Sequence, residues 1–252
     1  MLFNQIQKPS RYVGGEYGVP EMKADATTTF CMCFPDTYEV GMSNLGIRIL
    51  YYMLNDLPFV RCERCFAPWP DYAEYLRQNK LELTSIETKL PLKKFDILGF
   101  SLQYELSYSN ILYMLDLAGI PFKAKDRDES MPLLIAGGPC VVNVEPVADL
   151  FDVVNVGEGE EMLKNIVKAY DECKGKMSRK EFLKYISDNV EGVYVPSLVN
   201  IETENSVVKK LDAPHKVKRV FVRDMDKAFF PDRAIVSNIE LVHDRAVAEL
   251  FR

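Results

Sequence analysis

TTFCMCFPDTYEVGMSNLGIRILYYMLND, residues 28–56, decides how the chain is read. Thr29–Phe34 is an unbroken apolar run of strand length, and Pro35 with Asp36 ends it. From residue 44 to 55, Leu45, Ile49, Leu50, Met53 and Leu54 recur at helical spacing, and Ser43 stands where an N-cap belongs. Buried strand, short turn and amphipathic helix make the repeating unit of a parallel sheet covered on its faces.

The unit recurs downstream. Pro58–Cys62 reads as a short strand and Pro70–Gln78 as a helix opened by its proline. Asp96–Leu102 is a strongly apolar strand, followed by a helix over Ser107–Ala118 that Gly119 can end. Leu133–Ala136 and Phe151–Val156 are two more strands, and Glu160–Tyr170 is a helix with Met162, Leu163, Ile166 and Val167 inward. The count predicts an α/β fold: a Rossmann-like, flavodoxin-like sheet of five parallel strands in the order 2-1-3-4-5, with helices on both faces.

Three segments follow from the pattern. Residues 1–28, containing KPSRYVGGEYG, read as a lead-in that wraps the surface. Residues 29–175 hold the sheet. Residues 176–252 read as a small α+β appendage, with a helix over Ser178–Ser187 and short antiparallel strands at Gly192–Val199, Val207–Leu211 and Val217–Arg223. A last apolar stretch, Ala246–Phe251, reads as a strand in which the chain stops, so the chain is expected to be the front piece of a longer one.

Composition narrows the function. A formal charge of -6 argues against non-specific binding of nucleic acid by the whole chain. The sequence has no apolar run of membrane-spanning length and no signal peptide, so a cytoplasmic protein with thiols rather than disulfides is expected.

In open parallel sheets, ligands bind beyond the carboxyl ends of the strands, where strand order reverses. Four short sequences fall there: PDTYEVG (35–41), SLQYE (101–105), GGP (137–139) and GEGE (157–160). Their glycines let backbone approach a ligand closely. Gly41, Ser43 and Asn44 would shape the first loop, and Asp36 would fix a donor within it or make an Asx-turn. Ser101, Gln103 and Tyr104 would supply contacts from the third strand. Gly137, Gly138 and Pro139 would admit a slender part of a ligand, and Gly157, Glu158 and Gly159 would close the rim.

Five longer motifs carry a resemblance. They are KPSRYVGGE (8–16), FPDTYEVGMSNLG (34–46), DILGFSLQYELSY (96–108), IAGGPCVVNVEPVAD (135–149) and GEGEE (157–161). Together they resemble the N-terminal, cobalamin-binding-like domain of radical S-adenosylmethionine (SAM) proteins, over nearly the whole chain. The resemblance implies a second half, a partial barrel holding SAM and a [4Fe–4S] cluster through C-x-x-x-C-x-x-C. No such trio exists here: Cys31 and Cys33 are spaced C-x-C, Cys62 and Cys65 C-x-x-C, and Cys140 and Cys173 stand alone. A segment like VHDRAVAELFR precedes the cluster motif in the family, and this chain ends with it. The barrel is therefore the expected partner, and no residue of this chain is expected to be a chemical catalyst.

Asp36-Thr37-Tyr38-Glu39-Val40-Gly41 differs at one position from D-x-H-x-x-G, the loop whose histidine ligates cobalt in cobalamin proteins. Tyr38 replaces the imidazole, and a protonated phenol is a poor ligand. The only histidines, His215 and His243, lie beyond the sheet region. Cobalamin is thus expected, if bound, base-off and without a histidine, with Tyr38 either against the corrin or filling the groove as a core aromatic. The alternative is a cofactor-free module that contacts the barrel, a partner protein or RNA.

Three weaker signals read as structural. Cys62 and Cys65 are expected as structural thiols, because no further paired ligands complete a zinc site. Trp69, between two prolines, reads as a packing anchor. The basic segment 208–223 reads as a solvated hairpin face.

Overall fold

The computed structural model describes residues 6–205, 207–243, 245 and 247. After a single helical turn, α1 (Ser10–Val13), the chain enters β1 (Thr28–Phe34). The repeating unit then runs α2 (Tyr38–Ser43), α3 (Leu45–Asp56), β2 (Val60–Phe66), α4 (Pro70–Gln78), β3 (Ile97–Ser101), α5 (Tyr108–Ala118), β4 (Leu133–Gly137), β5 (Val153–Asn155) and α6 (Gly159–Cys173). It closes with α7 (Arg179–Asn189), β6 (Val193–Tyr194), and the hairpin β7 (Asn200–Glu204) and β8 (Val207–Asp212).

The main sheet has six strands, in the order β2-β1-β3-β4-β5-β6. The strands from β1 to β5 pair in parallel and take the order inferred from their number. The expected count of five is corrected by β6. Val193–Tyr194, assigned from sequence to the appendage, pairs antiparallel with β5 and extends the main sheet.

Alternation along the strands divides the interior in two. Phe30, Met32, Ile97, Leu133, Ile135 and Val153 face α3, α6 and α7. Cys31, Cys33, Leu98, Phe100, Leu134 and Val154 face α4 and α5. Period-2 side chains on strands buried from both sides produce this split. Cys62 and Cys65 fall on opposite sides of it, so they do not form a pair.

Local chemistry differs from expectation in two places. The stretch after Phe34 is a short helix, α2, rather than an open loop, and Asn44 rather than Ser43 caps α3 by accepting from Ile47 N at 3.1 Å. Ser43 ends α2 and donates to Glu39 O. Gly41 makes α2 fit, because a Cβ there would run into the Phe66 ring. The second strand runs four residues past its expected end at Cys62, through the charged pair Glu63 and Arg64, both buried. Arg64 bonds Glu87 at 2.6 Å and Glu16 at 3.0 Å, while Glu63 accepts from Ser85 and Thr88. Buried charges persist only where paired in this way.

Described residues of the lead-in segment touch α2 and the start of α4. Tyr12 stacks on Tyr72 at 4.0 Å, Arg11 lies 5.1 Å over Trp69, and Arg11 pairs with Glu39 at 2.8 Å. In the appendage, the strand expected over 217–223 is a strap with one parallel bridge, Gly157 to Val220. The strand expected over 246–251 falls almost wholly outside the described residues. No helix among the described residues is long and apolar enough to cross a membrane.

Candidate functional site

The four predicted stretches lie at one edge of the sheet, beyond the carboxyl ends of β1, β3, β4 and β5. Three of them, 101–105, 137–139 and 157–160, border a cavity of about 600 Å³ beside the reversal of strand order between β1 and β3, while Pro35, Asp36 and Val40 of the first border a smaller one next to it. Phe30, Met32 and Ile135 form its floor, and Ile49 and Leu50 of α3 and Leu163 of α6 its walls. Gly99 leaves room here for the Phe30 ring, 2.5 Å from where a Cβ would stand.

Most predicted site residues line this cavity. Asn44, Ser101 and Gln103 stand on one side, Gly137, Gly138 and Pro139 on another, and Gly157, Glu158 and Gly159 on a third. A polar chain crosses the strand reversal: Asn44 Nδ2 donates to Gln103 Oε1 at 3.3 Å, and Gln103 Nε2 to Ser101 Oγ at 2.6 Å. Asp36, Ser43 and Tyr104 line an adjoining cavity of about 250 Å³, which shares Asn44, Ser101 and Gln103.

Two predicted residues lie elsewhere. Gly41 lines neither cavity and serves the packing of α2. Tyr38 is buried in the α3 side of the core, edge-on to Phe66, and donates to Glu16 Oε1 at 2.9 Å. Burial pushes its phenol far above the ordinary value, so it stays protonated and is no metal ligand. Its place in the core is set by a carboxylate of the lead-in segment, which spacing alone does not reveal.

The glycines divide by role. Gly138, at φ +102, lets Leu102 approach: a Cβ would meet Leu102 O at 2.7 Å. Gly157, at φ +123, accommodates the strap, whose Val220 N would lie 2.5 Å from a Cβ. These two serve the chain itself. Gly137 and Gly159 instead flank the side chain of Asn155, with ordinary clearances of 3.8 Å to its nearest atom.

Asn155, within the strand expected over Phe151–Val156, is not among the expected site residues. The residue is 4% exposed, lines the cavity, and its Oδ1 has no hydrogen-bond partner among the described residues. An unsatisfied buried acceptor costs roughly 1–3 kcal/mol. The available signal was a single amide in the run FDVVNVG, next to a glycine-rich turn.

The strap supplies further residues. Glu158 accepts from Val222 N, Glu158 N donates to Val220 O at 3.0 Å, and Arg219 lines the cavity. The basic segment is therefore partly a wall of the site and not only a solvated face. His243 also departs from expectation. Its backbone N donates to Ser43 Oγ at 3.0 Å and the residue lines the smaller cavity, so one histidine does return to the first loop.

Among the described residues, no group of three or more His, Cys, Asp or Glu is arranged to hold a metal ion. The thiols do not suit a cluster either. Cys31, Cys62 and Cys65 are buried in strands, and burial pushes each thiol well above its ordinary value.

An open, mostly parallel sheet with a cavity at its strand-order reversal defines an α/β protein with a ligand-type site. The family described as radical SAM proteins, N-terminal, matches residues 46–196, and the chain belongs to that family. The matched span includes β2 to β6 and Asn155, and begins after α2. Membership implies SAM and a [4Fe–4S] cluster in the full protein. No curated protein and no solved structure matches the chain.

Proposed function

We propose that this chain is the cofactor-holding domain of a radical SAM enzyme, seating part of a corrinoid at the sheet edge and presenting it to the barrel that carries SAM and the cluster. The open cavity carries this reading. A cofactor-free module would have the edge filled by Tyr38, Tyr104 or Trp69; Tyr38 is in the core, and neither Tyr104 nor Trp69 lines the main cavity. Its volume lies within the roughly 300–1,000 Å³ typical of small-molecule sites. A whole corrinoid is larger than that, so the cavity would hold only one slender limb of it, and the exposed Val142 and Tyr104 would be the residues available to the rest.

The donor set fits such a limb. Apolar floor and walls take a flat ring. Asn44, Ser101, Gln103 and Asn155 offer neutral hydrogen-bonding groups, and Gly137 and Gly159 keep the inner end clear. When bound, a corrinoid supplies cobalt-centred group transfer. The chain's own residues bind it, orient it and exclude water from the buried limb; Tyr38 supplies no ligand to it.

The test is retention of hydroxocobalamin after desalting, read from its visible spectrum, with the chain alone and with the full-length protein. Stoichiometric retention that Gly137→Leu removes supports the reading. Absence of retention by the full-length protein overturns it.

A further inference from the structure

We propose that Asn155 selects the ligand of the main cavity, its Oδ1 accepting a hydrogen bond from an N–H or O–H at the inner end of a neutral, otherwise apolar ligand. This rests on the cavity being a ligand site and narrows the class of molecule that enters it.

A comparison within the molecule points to this role. Asn55 is also buried, and its amide is fully used: Nδ2 donates to Tyr51 O and Cys62 O, and Oδ1 accepts from Cys62 N. A structural asparagine in this fold is thus satisfied by its own chain. Asn155 is more deeply buried, yet its Oδ1 has no partner among the described residues. Native proteins leave few such groups, and each calls for an explanation.

Placement supplies one. Asn155 ends β5, and the cavity floor beside it is the apolar face of β1 and β4. Gly137 and Gly159 on either side carry no side chain to cover the amide. The charged residues lining the cavity, Glu158, Glu160 and Arg219, come from the turn after β5, the first turn of α6 and the strap across them. The two carboxylates at the start of α6 disfavour an anionic inner end, whereas a neutral donor completes the acceptor that the fold leaves open.

Two aromatic probes test this: phenol, which has the donor, and anisole, its methyl ether, in which the donor is capped. Each is titrated into the purified chain and followed by the side-chain amide signals in a ¹H–¹⁵N spectrum. Phenol is expected to bind about tenfold more tightly than anisole. Asn155→Leu should abolish the difference, and Asn155→Asp, which keeps an acceptor at that position, should preserve it. Thermal melts of each variant report folding; if Asn155→Leu does not fold, the wild type and Asn155→Asp decide alone. Equal affinities in the wild type, loss of the preference in a folded Asn155→Asp variant, or binding of neither probe at millimolar concentration overturns the proposal. Hydroxocobalamin retention without a phenol preference removes the role of Asn155 and keeps the cofactor reading. A phenol preference without retention does the reverse.

Discussion

Gly157 and Val220 are in backbone contact across the cavity rim. Val220 N donates to Val156 O at 3.1 Å, Glu158 N donates to Val220 O at 3.0 Å, and a Cβ on Gly157 would stand 2.5 Å from Val220 N. Gly157→Ala must therefore strain a φ of +123 and displace the strap that carries Arg219. The expected loss is about 1–3 kcal/mol, measured by urea unfolding. Gly137→Ala, whose nearest neighbour lies at 3.8 Å, should unfold close to the wild type.

Arg64 joins the second strand to the lead-in segment. Its side chain is 1% exposed and bonds both Glu87 and Glu16. Arg64→Ala leaves two carboxylates buried without their cation, and removing one partner of a buried ion pair costs about 3–5 kcal/mol. Calorimetry should show the lowered midpoint. Limited proteolysis should show faster cleavage near Glu16.

Acid should release the lead-in segment before the sheet unfolds. Burial alone would raise the Glu39 carboxyl, but hydrogen bonds from Arg11 and Lys8 outweigh it and hold the group below its ordinary value of 4.5. A depressed folded value means that this contribution is present above 4.5 and lost as the pH falls through the lower, folded value. Trp69, the only tryptophan, lies under Arg11 and reports the event. Its emission should change below pH 4.5 in the wild type, and Glu39→Gln should remove that step.

Helix α3 depends on Asn44. Asn44→Ala removes the cap on Ile47 N and the bond to Gln103, with an expected loss of about 1 kcal/mol in chemical unfolding. Ser43→Ala should cost less, because Ser43 bonds only Glu39 O and the backbone of His243.

Much of the fold was legible because its signals are local. Pro70 opens α4 and Gly119, at φ +64, ends α5, as residue type alone suggests. The second strand was cut short because Glu63 and Arg64 look like a strand leaving the core, and only partners distant in sequence bury them. The sixth strand was misplaced because Val193–Tyr194 is too short for periodicity to say which sheet it joins.

For the site, the order of glycine-bearing turns along the chain was enough to place them on one edge, since parallel strands with covering helices put every strand exit on the same side. Sequence by itself therefore determined the layered architecture and the location of the cavity, through apolar periodicity and turn residues that act over a few positions. Only the tertiary structure decided which polar groups meet: Tyr38 with Glu16, Val220 with Gly157 and His243 with Ser43, while the Asn155 Oδ1 meets no partner among the described residues. These outcomes depend on residues as much as 200 positions apart, and hydrogen bonding between such groups leaves no periodic trace in the chain.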